Sequence, residues 1–167
     1  MGKLPKIFLC LLLCCSLLCG CSFMSEPLAP IVINEMDLTM TLPGYFENML
    51  NEEVMTDDME GFFAYGFSEI SISGLRDDYE VFDEVPTLEE YAKELIAKSE
   101  YTAEVEIIDG MTTFTYRHLN KSESYTSLTA VFAGTESFWM ITATCRTINF
   151  DSARDKLVEI LKTAQVA

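Results

Sequence analysis

The pattern of apolar and polar side chains predicts an α+β domain: an antiparallel β-sheet of about six strands with helices on both faces. Three observations carry that expectation. Met36, Leu38, Met40 and Leu42 alternate with polar residues at the period of a half-buried strand. Asp109-Gly110 separates two strand-like runs, a pairing favoured where both central residues of a hairpin turn need positive φ. Between Phe138 and Cys145 the chain is apolar on both faces, with Trp139, Ile141, Ala143 and Cys145 on one and Phe138 and Met140 on the other. A strand of that kind must be covered on both sides.

The elements follow in order. Met36 to Leu42 reads as the first strand, ended by Pro43-Gly44. From Tyr45 to Glu60 a short helix or loop is expected, because the helical spacing of Phe46, Met49 and Leu50 gives way to an irregular acidic stretch. Phe62–Phe67 and Glu69–Gly74 suggest two strands, or one bent strand broken near Gly66. A helix over Leu88–Ser99 has Thr87 as N-cap and Glu90 three residues on, a capping box. Its apolar stripe is Leu88, Tyr91, Ala92, Leu95 and Ile96. Strands over 104–108 and 111–118 flank Asp109-Gly110, and Tyr125–Ala133 pairs with Ser137–Arg146 across Gly134-Thr135. A closing helix from about Ser152 to Ala164, capped by Asp151 or Ser152, has the stripe Ala153, Leu157, Val158, Leu161 and Ala164.

Composition narrows the function. Within 167 residues, 27 Asp and Glu outnumber 11 Lys and Arg, a formal net charge of −16, and 49% of side chains are hydrophobic. That suits one globular domain. It argues against nucleic acid as a partner, since a polyanion gains affinity by releasing counterions to Lys and Arg.

The first 20 residues stand apart. Lys3 and Lys6 precede an apolar run from Ile7 to Leu18, of signal-peptide length and shorter than a membrane span. The run closes on Leu18-Cys19-Gly20-Cys21, which resembles the bacterial lipoprotein box: a Leu, two small residues and the acceptor Cys. The resemblance implies cleavage before Cys21, a diacylglycerol thioether on Cys21, and often an acylated new amino terminus. Several acyl chains anchor stably where one holds only marginally. The expected location is therefore the cell membrane, lipid-anchored and facing outside the cytoplasm. Residues 21–30, with Pro27 and Pro30, read as the lipidated Cys and tether, and 31–167 as a single domain. Loss of the signal would remove Cys10, Cys14, Cys15 and Cys19, and alkylation would consume Cys21. Cys145 would remain alone, with 9 basic and 27 acidic side chains, a formal −18.

Thr87 to Val166 resembles the PsbP-like superfamily of α/β/α sandwiches. The likeness lies in the Thr87-Leu88-Glu89-Glu90-Tyr91 helix opening and in the Asp109-Gly110 hairpin leading to Phe114-Thr115-Tyr116. It continues through Val131-Phe132-Ala133-Gly134, Phe138-Trp139 and the closing Leu157–Leu161 helix. Leu38-Thr39-Met40-Thr41-Leu42-Pro43 with Tyr45-Phe46 is similar to that family's opening strand. Known members include an extrinsic photosystem II subunit that helps retain calcium and chloride, and a Ran-binding import factor. The resemblance implies a binding module and transfers no role to a particular residue.

Enzyme motifs are absent: no Gly-rich phosphate loop, HExxH, CxxC or G-x-S-x-G occurs. His118, the single histidine, sits near a strand end with Phe114 and Tyr116 on its face and reads as an edge histidine rather than a base or ligand. Cys145 reads as a packed thiol, with Arg146 pointing to the opposite face. Acidic clusters offer oxygen ligands for a Ca²⁺-like cation, with Asp57, Asp58, Glu60, Asp77 and Asp78 as candidates, although EF-hand spacing is missing. Met36, Met40, Met49, Met55 and Met59 could in principle form a thioether copper site, but Met36 and Met40 fit a core strand. Phe62, Phe63, Tyr65 and Tyr79 are candidates for an aromatic ligand groove, with core packing as the alternative. The expected function is a membrane-anchored, non-catalytic binding or accessory module for an envelope partner, without a cofactor. The alternative is a small-ligand or cation-binding lipoprotein. A hydrolase, third, would need paired carboxylates in a cleft beside His118.

Overall fold

The computed structural model describes residues 28–50, 61–99 and 101–167, which hold ten strands and two α-helices. They are β1 (Ile31–Glu35), β2 (Leu38–Leu42), β3 (Glu47–Asn48), β4 (Phe63–Phe67) and β5 (Ile70–Asp78). A 3-10 turn at Tyr79–Val81 precedes α1 (Leu88–Lys98). Next come β6 (Val105–Ile108), β7 (Met111–Asn120), β8 (Glu123–Ala133), β9 (Ser137–Arg146), α2 (Thr147–Leu161) and β10 (Gln165–Val166). The main sheet has seven strands in the order β3-β4-β5-β9-β8-β7-β6, and β1-β2-β10 form a small second sheet. Every ladder is antiparallel.

β9 lies at the centre of the main sheet, and its two faces separate two cores. On one face Trp139, Ile141, Ala143 and Cys145 pack with Ile72 and Leu128, beneath α2 (Leu157, Val158, Leu161) and the small sheet (Ile33, Leu38, Met40, Leu42). On the other, Phe138 packs with Phe114 and Val131 beneath Tyr91 and Ala92 of α1. Tyr91 stacks on Phe138 at 4.3 Å between ring centroids. The expected α+β arrangement of one antiparallel sheet with a helix on each face is therefore present. It has one strand more than expected and a small sheet in addition.

Local chemistry explains the element ends. Thr87 and Glu90 form the reciprocal capping box, Thr87 Oγ1 accepting from Glu90 N–H and Glu90 Oε2 accepting from Thr87 N–H. Asp109 and Gly110 have φ of 49° and 85°, closing the two-residue turn between β6 and β7. Phe63 lies over Gly74, its register partner on β5, in the space a Cβ would need.

Four expectations are corrected. Met36 faces solvent in the turn between β1 and β2 with φ 51°, because the chain has already run one strand, β1, before it. β4 runs straight through Gly66, and the break falls at Ser68, whose φ is 55°. Tyr45–Leu50 contains the short strand β3 rather than a helix, held to β4 by Glu47↔Gly66 and Asn48↔Tyr65. α2 begins at Thr147, directly after β9, and Ser152 bonds back to Asn149 C=O inside the helix instead of capping it. The helix ends at Leu161, which places Ala164 in the turn before β10.

Asp37 joins the two sheets. Its carboxylate accepts from Trp139 Nε1 at 2.7 Å and Ser137 Oγ at 2.8 Å, and its carbonyl accepts from Ala167 N–H at 2.9 Å. Arg76 Nε stands 3.5 Å from the same carboxylate. Burial pushes the Asp37 carboxyl up, but the Trp139 and Ser137 donors and the Arg76 charge outweigh it and hold the group below the ordinary carboxylate range. Replacing Asp37 by Ala removes two charge-assisted bonds and leaves the indole N–H unpaired, so it should cost about 3 kcal/mol in denaturant unfolding. The folded-state value is depressed, so this stabilisation is complete above the ordinary carboxylate value of about 4 and fades as pH falls below it. The gap between wild type and Asp37→Ala, measured by urea titration across pH, should therefore be widest near neutrality and narrow in acid.

Candidate functional site

α1, eleven residues long, covers only part of its face of the main sheet. Register defines what the same face carries beyond the helix. Thr142 of β9 stands beside Thr129 of β8, and Thr144 beside Ser127; these hydroxyls bond across the strands at 2.9 and 2.8 Å. On β7 the same face continues through Tyr116 and His118, and on β8 through Tyr125. The apolar core therefore passes along each strand into a band of paired hydroxyls flanked by aromatic rings.

Those rings form a row. Tyr101 stacks on Tyr116 at 4.1 Å and 12°, Tyr116 meets His118 at 5.8 Å, and His118 meets Tyr125 at 5.8 Å and 19°. Burial pushes the Tyr116 phenol above its ordinary value. His118 Nδ1 is sealed from solvent and has no hydrogen-bond partner among the described residues.

Beyond the row a cleft of about 620 Å³ opens between β3, the β4–β5 turn and the β7–β8 hairpin. His118, Tyr125, Asn120 and Thr144 line one side, and Glu47, Asn48, Met49, Phe67 and Ser71 the other. Its rim is held by ion pairs. Arg146 lies 3.1 Å from Glu69 Oε1 and 3.0 Å from Glu123 Oε1; Tyr125 donates to Glu123 at 2.8 Å, and Asn149 to Glu69 at 3.0 Å. Glu69 and Glu123 are thus bridged by a cation. The cleft presents amides, hydroxyls, carboxylates and ring edges, a set that recognises a hydrogen-bonding ligand or a polar partner surface.

The candidates read from sequence are distributed elsewhere. Cys21, Asp57, Asp58 and Glu60 lie outside the described residues. Asp77 accepts from Tyr91 Oη at 2.7 Å, beneath α1, and Asp78 pairs with Arg76 on the opposite face. Among the described residues no three His, Cys, Asp or Glu gather as a metal could require. The expected aromatic groove is not assembled. Phe63 and Tyr65 belong to the core beneath α2, whereas Tyr79 belongs to the core beneath α1, its Oη donating to Gly134 C=O at 2.9 Å; Phe62 is half-buried. Phe63 and Tyr65, two residues apart on β4, share one layer, whereas Tyr79 sits in the 3-10 turn after β5 and packs into the other. Of the candidate methionines, Met40 is core, Met36 and Met49 are exposed, and Met55 and Met59 lie outside the described residues.

Sequence reading missed Tyr101, Tyr125, Asn120 and Glu47 as site residues. The alternation Phe114-x-Tyr116-x-His118 was the available signal. It becomes a site only through the β7–β8 hairpin, whose turn residues Lys121 and Ser122 adopt φ of 49° and 81° without a glycine to announce them.

No family model matches the chain, and no curated protein is similar to it in sequence. Solved structures are similar in fold. The solution structure of cyanobacterial PsbP (CyanoP) from Synechocystis sp. PCC 6803 superposes with a TM-score of 0.55 at 8% identity, over 89% of this chain and 98% of that one. A crystal structure from Bacteroides thetaiotaomicron gives 0.55 at 9% identity, over 85% of this chain and 49% of that one. A Mog1 variant gives 0.49 at 12% identity, over 83% and 96%. The fold is PsbP-like.

Cys145 is buried on the face opposite Arg146, and burial pushes its thiol up. Iodoacetamide at neutral pH should leave the Cys145 peptide unmodified in the native protein and label it fully in denaturant, as read by mass spectrometry. Rapid native labelling would show an accessible, activated thiol instead.

Proposed function

We propose that this protein is a lipid-anchored, extracytoplasmic, non-catalytic binding module that presents its polar cleft to an envelope partner. The observation that carries the reading is the state of the cleft's own polar groups. Ser127 pairs with Thr144, Arg146 bridges Glu69 and Glu123, and Tyr125 is fixed by Glu123. Groups arranged in this way suit recognition by a preorganised surface better than proton transfer, which needs an acid or base within reach of a reacting atom. His118 has aromatic rings as its neighbours on both sides, and its buried Nδ1 has no hydrogen-bond partner among the described residues. The Leu18-Cys19-Gly20-Cys21 sequence supports the anchor. The PsbP-like fold is compatible with a binding role and is support by analogy alone.

Crosslinking in intact cells followed by purification of the native protein from membranes, with Cys21→Ser as the control, tests both parts. The expected result is a lipid-sized mass increase on the peptide beginning at Cys21 and a stoichiometric partner recovered only with the anchored form. An unmodified Cys21 removes the anchor. A partnerless protein moves the assignment to a small soluble ligand in the cleft, which thermal shift would then detect, since a ligand at a hundredfold excess over its Kd stabilises by about 2.7 kcal/mol.

A further inference from the structure

We propose that the outer edge of β6 accepts an extended, basic segment of a partner protein, which adds a strand to the main sheet alongside α1. Among the described residues β6 is the terminal strand of that sheet and pairs only with β7. The turn geometry says which of its backbone groups are free. Asp109 and Gly110, both at positive φ, make a two-residue turn flanked by the register pair Ile108↔Met111. In such a hairpin the flanking pair exchanges both of its hydrogen bonds, and hydrogen-bonded and non-bonded pairs then alternate. Ile108 and Glu106 therefore bond inward to β7, and Glu106 C=O also accepts from Thr113 Oγ1 at 3.1 Å. The N–H and C=O groups of Val105 and Ile107 point outward.

This edge is four residues long and carries one acidic side chain, Glu106. It contains no proline or lysine, and Ile107 is 68% exposed. Beside it, between α1 and β6, runs a groove of about 360 Å³ with Ile96, Ala97, Ala103 and Val105 as its apolar part. An added strand would lay alternate side chains into that groove, the arrangement by which exposed sheet edges recognise extended peptides.

Charge chooses the occupant. Glu89 and Glu104 line the groove and Glu106 projects from β6, while the one cation lining it among the described residues, Lys93, is already held by Glu89 at 2.6 Å. A second copy of this chain would bring its own Glu104 and Glu106 alongside, and like charges directly opposite across a ladder are destabilising. A segment alternating apolar and basic residues lays its apolar set against Ile96, Ala97, Ala103 and Val105 and carries its basic set on the other face beside Glu106.

The test is titration of the ¹⁵N-labelled full chain in detergent micelles with a capped hexapeptide alternating valine and lysine. Saturable binding is expected, with amide exchange at Val105 and Ile107 slowed about tenfold or more and binding weakened by salt. The valine–glutamate analogue should bind at least about tenfold more weakly, a difference of about 1.4 kcal/mol. So should Ile107→Pro, which removes an outward N–H that β7 does not use. Continued protection of the Glu106 and Ile108 amides would show that this variant keeps its ladder. A lysine–valine peptide N-methylated along one edge leaves the protein untouched and must also fail. Absence of binding, equal binding by the N-methylated or glutamate peptide, protection at other strands, or self-association of the chain through β6 would each overturn the proposal.

Discussion

The indole of Trp139 has one polar atom, and the placement of that atom organises the molecule. The ring lies fully buried in the core between the main sheet and α2, where an unpaired N–H would be costly. Asp37, in the turn between the first two strands, accepts it and accepts Ser137 with its other oxygen. The same residue's backbone carbonyl accepts from Ala167 N–H, and Thr135 N–H donates to the Ala167 carbonyl. One residue, through its carboxylate and its carbonyl, thus fixes the small sheet, the last residues and the start of β9 in a single arrangement. The aliphatic contacts of Leu38, Met40 and Leu42 could tolerate a small slide across α2, whereas this directional set cannot.

With the small sheet and α2 committed to one face of β9, the other face is left to α1, and α1 is shorter than the strands beneath it. The apolar residues Phe138 and Met140 therefore give way along β9 to Thr142, Thr144 and Arg146. This transition generates the cleft. A longer helix would have required Leu or Val in place of the paired hydroxyls, and the row from Tyr101 to Tyr125 would have become core.

Much of the fold was legible because it rests on local rules. The capping box at Thr87 and Glu90, the Asp109-Gly110 turn, and the two-faced strand of Trp139 each declare themselves within a few residues. What escaped depends on partners distant in the chain. β10 is two residues long and exists because β2 offers it an edge. α2 starts at Thr147 because that hydroxyl is met by Ser124 and Thr126, over twenty residues earlier. The cleft was legible only as a lone histidine on an aromatic strand face. Its opposite wall, β3 with the β4–β5 turn, is joined to β9 through β5 by sheet order, which no local pattern encodes.

The entry of the chain into the domain has a mechanical consequence. Leu28 and Ala29 lie against Gly44, and Pro30 leads at once into β1, whose five residues pair with β2 from Ile31↔Leu42 to Glu35↔Leu38. A pull directed along β1 loads all five pairs together in shear, and the strand resists as a unit. A pull directed sideways opens Ile31↔Leu42 first and peels the ladder one rung at a time. The same strand is therefore stiff to tension in one direction and compliant in another, and the orientation of the domain relative to the chain ahead of it sets how much force its fold withstands.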